Sequence, residues 1–236
     1  MSRTAILLVL SSCAYAVIHA LIPDHWLPFV LLARSQAWSA RRLAGLAALA
    51  GLLHAGVSTL VALAAIVLGR GGARNLAERS GQSLEFLSGA LLMLFGLGYG
   101  IIAHFREARA HRNGSSRAAD AAKKPHAHGH LLQGWLGGSL SGAALVAVVG
   151  ISPCALLIPV LFTASTEGPG TAMGAVAGFT TCTVVTMVLV TLIASRLVRA
   201  TRGARRVDLP LVTRYGDLTS GLLIAVIGVC VMLLAR

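Results

Sequence analysis

Apolar runs long enough to cross a hydrocarbon layer fill most of this chain and leave it few folds. They can be read at residues 4–34 (broken), 43–69, 84–104, 134–165 (broken), 170–195 and 209–235. A bilayer core of about 30 Å calls for roughly 20 helical residues, so each run predicts a span. Composition agrees, because 56% of residues are apolar and only 12% charged, half the roughly 25% usual in soluble domains. The expected fold class is therefore all-α, a polytopic membrane protein with six transmembrane helices.

The formal charge of +12 would suggest nucleic acid in a soluble protein, but here the basic residues lie between the spans and report orientation. If six spans alternate, one side collects Arg34, Arg41, Arg42 and the clusters 106–124 and 196–214, fifteen Lys and Arg in all. The other side collects only Arg3, Arg70, Arg74, Arg79 and Arg236. This asymmetry puts the first side in the cytoplasm and both termini outside the cytoplasmic membrane. MSR, TAILLVL and LSSC could be read as a lipoprotein signal ending before Cys13. The apolar run continues for eight residues beyond Cys13, which argues for a retained segment. No C-x-x-C pair occurs among Cys13, Cys154, Cys182 and Cys230, so a disulfide framework is not expected.

The third and sixth spans repeat one another. EFLSGALLMLFG from Glu85 matches DLTSGLLIAVIG from Asp217, with acid, Ser, Gly, Leu and Gly at a constant offset of 132, and Pro23 matches Pro153 at an offset of 130. Three spans per half is an odd number, so the second copy is inverted relative to the first. The layout predicts two inverted three-helix repeats, 1–104 and 134–236, with broken first and fourth spans and a polar cytoplasmic loop, 105–133, between them. Inverted repeats with interrupted helices at matching places point to a secondary transporter whose site lies near the midplane. Glycines 134, 138 and 142, and again 170, 174 and 178, predict close helix packing in the fourth and fifth spans.

The first break reads HALIPDH, His19 to His25. On an unbroken helix Asp24 would lie roughly 140° from His19, and His25 roughly 240°, so the three could not meet. Pro23 lacks an N–H and clashes with the carbonyl four residues back; the expectation is that it frees the His19 carbonyl and starts a second half-helix aimed elsewhere. A straight helix from Thr4 to Arg34 would also run about 46 Å, too long for the bilayer. Asp24 is the one acid embedded within an apolar run. At about 2.5–3.5 kcal/mol for an acid at a helix centre it needs a partner, and a divalent cation with imidazole neighbours would supply one. Two imidazoles and a carboxylate suit nickel, cobalt, zinc or iron rather than magnesium or calcium; the alternative is a structural ion pair or a proton relay.

His54, mid-span in GLLHAGVST with Ser58 one turn on, is a third candidate imidazole. At the second break, ISPCALLIP, Pro153 places Cys154 as a candidate soft ligand. The threonines and Cys182 of TTCTVVT are candidate pathway lining. In the loop, His126, His128 and His130 can chelate a transition metal, with His104 and His111 nearby; a basic solvated linker is the plainer reading.

His19, Asp24 and His25 form H-x4-D-H, which resembles the signature of the nickel/cobalt permeases. The Arg-bearing SARRLAGLA, a span with LLHAG, a His-bearing loop and the element GISPC follow it. This order is similar to that of the nickel/cobalt efflux and urease-accessory-like membrane proteins of the lysine-exporter-like superfamily, across most of the chain. The permeases carry a second acid where this chain has Ile22, and the efflux proteins read P-C-P where it has Pro153, Cys154, Ala155. The resemblance implies that His19, Asp24, His25 and His54 bind and carry a divalent metal ion, nickel or cobalt, as cargo rather than as a resident cofactor. It implies a transporter, not an enzyme, and G-x4-G-K-[ST] is absent. The expected partners are the lipid bilayer and the metal ion, not nucleic acid, with homo-oligomerisation left open. SPCALLIPVL also resembles the cysteine-bearing span of the transmembrane thiol-disulfide carriers of cytochrome c biogenesis. That second reading needs two thiols that can meet, and Cys13 or Cys182 would have to serve as partner.

Overall fold

The computed structural model describes residues 2–68, 83, 85–105, 130–154, 157–204 and 216–234. Among them every regular element is a helix: α1 (Arg3–Ala20), α2 (Pro23–Ser35), α3 (Ala40–Leu68), α4 (Glu85–Phe105), α5 (His130–Ile151), α6 (Leu157–Thr166), α7 (Pro169–Ala204) and α8 (Gly216–Leu234). Five of these, α1, α3, α4, α7 and α8, are long and apolar enough to cross a membrane, with mean hydropathy between 1.5 and 2.3. Large apolar side chains face outward along them, among them Leu7, Leu60, Met173 and Leu234. Such a surface suits lipid and not water, consistent with a multi-pass membrane protein.

Five rather than six elements of spanning length are therefore described. The run expected as a broken fourth span divides into α5 and α6, within which the apolar stretches Ser141–Ile151 and Leu157–Thr166 are each short of a span.

The first break differs in detail from the expectation. Ser2 caps α1 by accepting from the Ala5 N–H at 3.0 Å, and the helix runs to Ala20. Ile22 is extended, with ψ of 133°, as the residue before a proline prefers. Pro23 is then the first residue of α2, where its missing N–H would have no partner anyway. The His19 carbonyl is not freed: it accepts from the Ile22 N–H at 3.0 Å, so a tight final turn takes up the group that Pro23 cannot reach. The chain breaks cleanly into two helices instead of kinking within one.

Small residues set how closely the helices pack. Gly174 and Gly178 of α7 receive Val9 and the Cys13 sulfur of α1, and the buried Ser12 hydroxyl donates to the Ala175 carbonyl at 2.6 Å. Gly142 of α5 receives Leu46 and Trp38, whereas Gly170 has nothing beside it; the side chains of the helix around Gly134 and Gly138 lie outside the described residues. The closest approach joins α4 and α8, where Gly89 lies against Gly228, and Gly96 and Gly100 against Gly221. As one number rises the other falls, so the pair runs antiparallel.

Two apolar clusters flank α3. One gathers Phe29, Leu32, Leu43, Leu145, Met187 and Ile224. The other gathers Ala55, Cys154, Leu157, Leu161 and Phe179. A polar network sits at the α2 end of the first cluster. Tyr99 donates to Asp217 at 2.5 Å and accepts from the Gln36 amide at 3.1 Å. The same amide reaches Ser141 at 2.7 Å, and Trp38 donates to the Gln36 carbonyl oxygen at 3.0 Å. This ties α4, α8, α5 and the end of α2 together.

Candidate metal centre

Three imidazoles converge where the helices break. His19 comes from the last turn of α1, His25 from the first turn of α2 and His54 from mid-α3. Their ring centroids lie 4.4 Å (His19–His25), 5.4 Å (His19–His54) and 5.0 Å (His25–His54) apart. The clean break at Ile22 makes this meeting feasible, since on a continuous helix His19 and His25 would point to different sides.

The second break contributes the fourth donor. Ser152, Pro153 and Cys154 follow α5 without helical structure, and one donor atom each from His19, His54 and Cys154 lie within 4.8 Å of one another. A tetrahedral ion with nitrogen ligands at about 2.0–2.1 Å and sulfur at about 2.3 Å holds such donors roughly 3.3–3.7 Å apart. Small side-chain movements, about 1 Å, would therefore close the set on an ion.

The electrostatics favour a cation. His54 is 1% exposed and His25 6%. His19 Nε2 and both ring nitrogens of His54 are buried without a hydrogen-bond partner, although the backbone of Val149 and Ser152 lies alongside His54. A buried polar atom left unmatched costs about 1–3 kcal/mol, and each neutral imidazole has one nitrogen whose lone pair a cation can take while the other carries the N–H. Asp24 Oδ1 lies 2.5 Å from His25 Nδ1. This bond fixes the His25 ring and leaves Nε2 as the nitrogen able to meet an ion, the arrangement that orients metal-binding histidines generally. The centre borders a cavity of about 50 Å³ lined by His19, Asp24, His25 and His54 together with Glu85 and Ser88, several times the roughly 10–15 Å³ that admits a single water and so roomy enough for a cation.

Of the donors singled out within the apolar segments, His19, His54 and Cys154 form the close set, and Asp24 and His25 line the adjoining cavity together with His19 and His54. The loop donors are a separate matter. His126 and His128 lie outside the described residues, and of His130 only the backbone, at the start of α5, is described. The TTCTVVT residues do not line the cavity; Cys182 instead contacts the Cys13 thiol between α7 and α1. Two contributors escaped the sequence reading. Glu85 was visible as the acid of the repeated S-G element but stood at a span end, and Ser58 was noted only as a polar neighbour of His54. Ser58 is fully buried, donates to the His54 carbonyl at 2.6 Å and accepts from the Cys154 N–H at 2.8 Å.

Comparison of the chain with protein-family models, with curated proteins and with solved structures finds no match to any of them.

Proposed function

We propose that this protein is a secondary transporter that carries a divalent transition-metal ion, nickel or cobalt, across the cytoplasmic membrane. One observation carries the reading: imidazole donors of α1 and α3 and the thiol of the α5–α6 connection lie within 4.8 Å of one another, with His19 Nε2 buried and without a partner. Structural histidines in a helix interface ordinarily pair with a carbonyl or hydroxyl; His19 Nε2 does not, and His54 has only the nearby backbone of Val149 and Ser152. His19, His54 and Cys154 hold the ion, His25 lies beside them, and Asp24 orients His25 and offsets the ion's charge.

The transporter layout is two inverted halves, 1–104 and 134–236, of three spans each. The α4–α8 contacts support it. Shifting Gly89 and Gly228 by the sequence offset of 132, in opposite directions, turns their contact into that of Gly221 and Gly96, as a two-fold axis in the membrane plane requires. Helix packing agrees, since α1 on α7 is matched by α5 on α3, and α3 on α6 by α7 on α2. In this reading the termini lie outside, the histidine loop lies in the cytoplasm and delivers or receives ions, and rocking of the halves exposes the centre to each side in turn.

The thiol-disulfide carrier reading retains one observation, the contact between Cys13 and Cys182. Cys154, which that reading needs as a redox partner, is instead grouped with His19 and His54. The deciding experiment measures cellular nickel, cobalt, zinc and iron in cells expressing the wild-type chain, Asp24→Asn, or Cys13→Ser with Cys182→Ser. Transport predicts that Asp24→Asn abolishes a change in nickel or cobalt content that the double cysteine variant keeps. Metal contents that Asp24→Asn leaves at wild-type levels would overturn the reading.

A further inference from the structure

The histidines alone would make a nitrogen site. What distinguishes this centre is the sulfur beside them, and what holds that sulfur there is one hydroxyl. Cys154 lies in the stretch between α5 and α6, where no helix ladder takes up its N–H. The Ser58 hydroxyl oxygen accepts that N–H at 2.8 Å while donating its own proton to the His54 carbonyl at 2.6 Å. Ser58 is 0% exposed and Cys154 3%, so water does not compete for either bond. A single side chain therefore joins the backbones of two donor residues, one on α3 and one at the second break, 96 residues apart in sequence.

We infer that the cargo is bound as a thiolate complex, with Cys154 as its sulfur ligand beside His19 and His54, and that Ser58 is the positioning residue that presents Cys154. This rests on the transporter reading and gives the chemical basis of its selectivity. An N₂S donor set selects borderline and soft cations such as cobalt, nickel, zinc or cuprous copper and rejects magnesium, calcium and manganese. On binding, the metal–sulfur bond replaces the S–H bond, and the proton leaves with the water that the ion sheds. His19 and His54 belong to the first half and Cys154 to the second, so the bound ion itself ties the halves together.

The geometry also states what Ser58→Ala removes. The Cys154 N–H becomes a buried donor without an acceptor, and the connection is free to turn away to find one. The fold has little reason to change, because the substitution removes one oxygen from a helix surface and leaves the apolar packing of Ala55, Ala62 and Leu157 in place.

The test titrates the full-length protein, purified in detergent, with Co²⁺ and reads the near-ultraviolet thiolate-to-cobalt charge-transfer band and the visible ligand-field bands. The wild type is expected to show both, Cys154→Ser to keep the ligand-field bands without the charge-transfer band, and Ser58→Ala to lose most of that band with affinity falling on the order of 10- to 100-fold. Ser58→Thr, which keeps the hydroxyl, is expected to restore it. A second measurement covers a Ser58→Ala protein that purifies poorly: in a chain whose only cysteine is Cys154, Co²⁺ should protect that thiol from a maleimide. Wild-type protein that binds Co²⁺ without a charge-transfer band or maleimide protection overturns the thiolate assignment and leaves the transporter reading intact. A wild-type band unaltered by Ser58→Ala overturns the role of Ser58. Protein that binds no Co²⁺ at all removes the transporter reading, and the inference with it.

Discussion

Gly96 and Gly98 lie two residues apart on α4, and the same substitution is expected to do opposite things to them. A Cβ added at Gly96 would lie 2.4 Å from the Ala225 nitrogen and 2.6 Å from the Gly221 carbonyl oxygen, whereas one added at Gly98 meets nothing within 4 Å. Both atoms near Gly96 are backbone, so no side chain can turn aside and α4 must move off α8 by about 1 Å to restore ordinary contact. Overpacking of this kind costs about 1–3 kcal/mol, and rigid backbone on the far side argues for the upper end. The gain of roughly 0.8–1 kcal/mol from replacing Gly by Ala in a helix is common to both variants and cancels between them. At roughly 2–4 °C per kcal/mol for a chain of this size, about 3 kcal/mol puts the Gly96→Ala midpoint some 6–12 °C below that of Gly98→Ala. Loss of the monodisperse peak after heating in detergent measures it. Equal midpoints would show that α4 and α8 are not held by glycine-to-backbone contact, and the two-fold relation drawn from that contact would lose its support.

Three other outcomes follow from the same geometry. Asp24→Asn replaces the carboxylate on His25 Nδ1 with a weaker partner, so Co²⁺ affinity should fall on the order of 10- to 100-fold in a titration of folded protein; unchanged affinity would separate Asp24 from the centre. Co²⁺ at 100 times its dissociation constant should stabilise the wild type by about 2.7 kcal/mol, a shift of roughly 5–11 °C. That shift should vanish when His19 and His54 are both replaced by Ala; its persistence would place the ion elsewhere. Tyr99→Phe removes the donor to Asp217 and the acceptor for Gln36, and should lower stability by about 1–3 kcal/mol in the same heating assay, without moving Co²⁺ affinity. A loss of affinity instead would couple the network to the centre.

Much of the centre could be read from sequence because its determinants are local. A proline one residue before Asp24, and another one residue before Cys154, end helices by covalent geometry alone, and an acid inside an apolar run needs a partner wherever it lies. Helix type and the bounds of α3 follow from run length in the same way, whereas α7 runs on to Ala204, past the expected end at 195. The fate of the His19 carbonyl was not legible, because whether a tight turn or an open carbonyl follows Ala20 depends on backbone angles at Leu21 and Ile22 that no residue type dictates. Ser58 escaped notice for a different reason. A serine in an apolar helix ordinarily bonds back to its own backbone, and Ser58 does so, to His54; that its oxygen also accepts from Cys154 depends on how α3 packs against α6. Glu85 was hidden by its place at a helix start, where acids are expected for capping reasons.

The two acids of the repeated element now occupy different surroundings, and the contrast bears on the proposed transport. Glu85 borders the cavity of the candidate centre, while Asp217, its counterpart 132 residues on, is engaged by Tyr99. Tyr99 is 14 residues from Glu85 on α4, about 21 Å along the axis, so one end of the α4–α8 pair opens onto the centre while the other is tied to α2 and α5. In a strictly two-fold protein the two ends would be equivalent. Here the residue 132 after Tyr99 is Val231, which lines the cavity and cannot make the hydrogen bond that Tyr99 makes. The ends are therefore unequal in sequence as well as in conformation, and a state closed at the Glu85 end would have to be held by something other than a copy of the Tyr99–Asp217 bond.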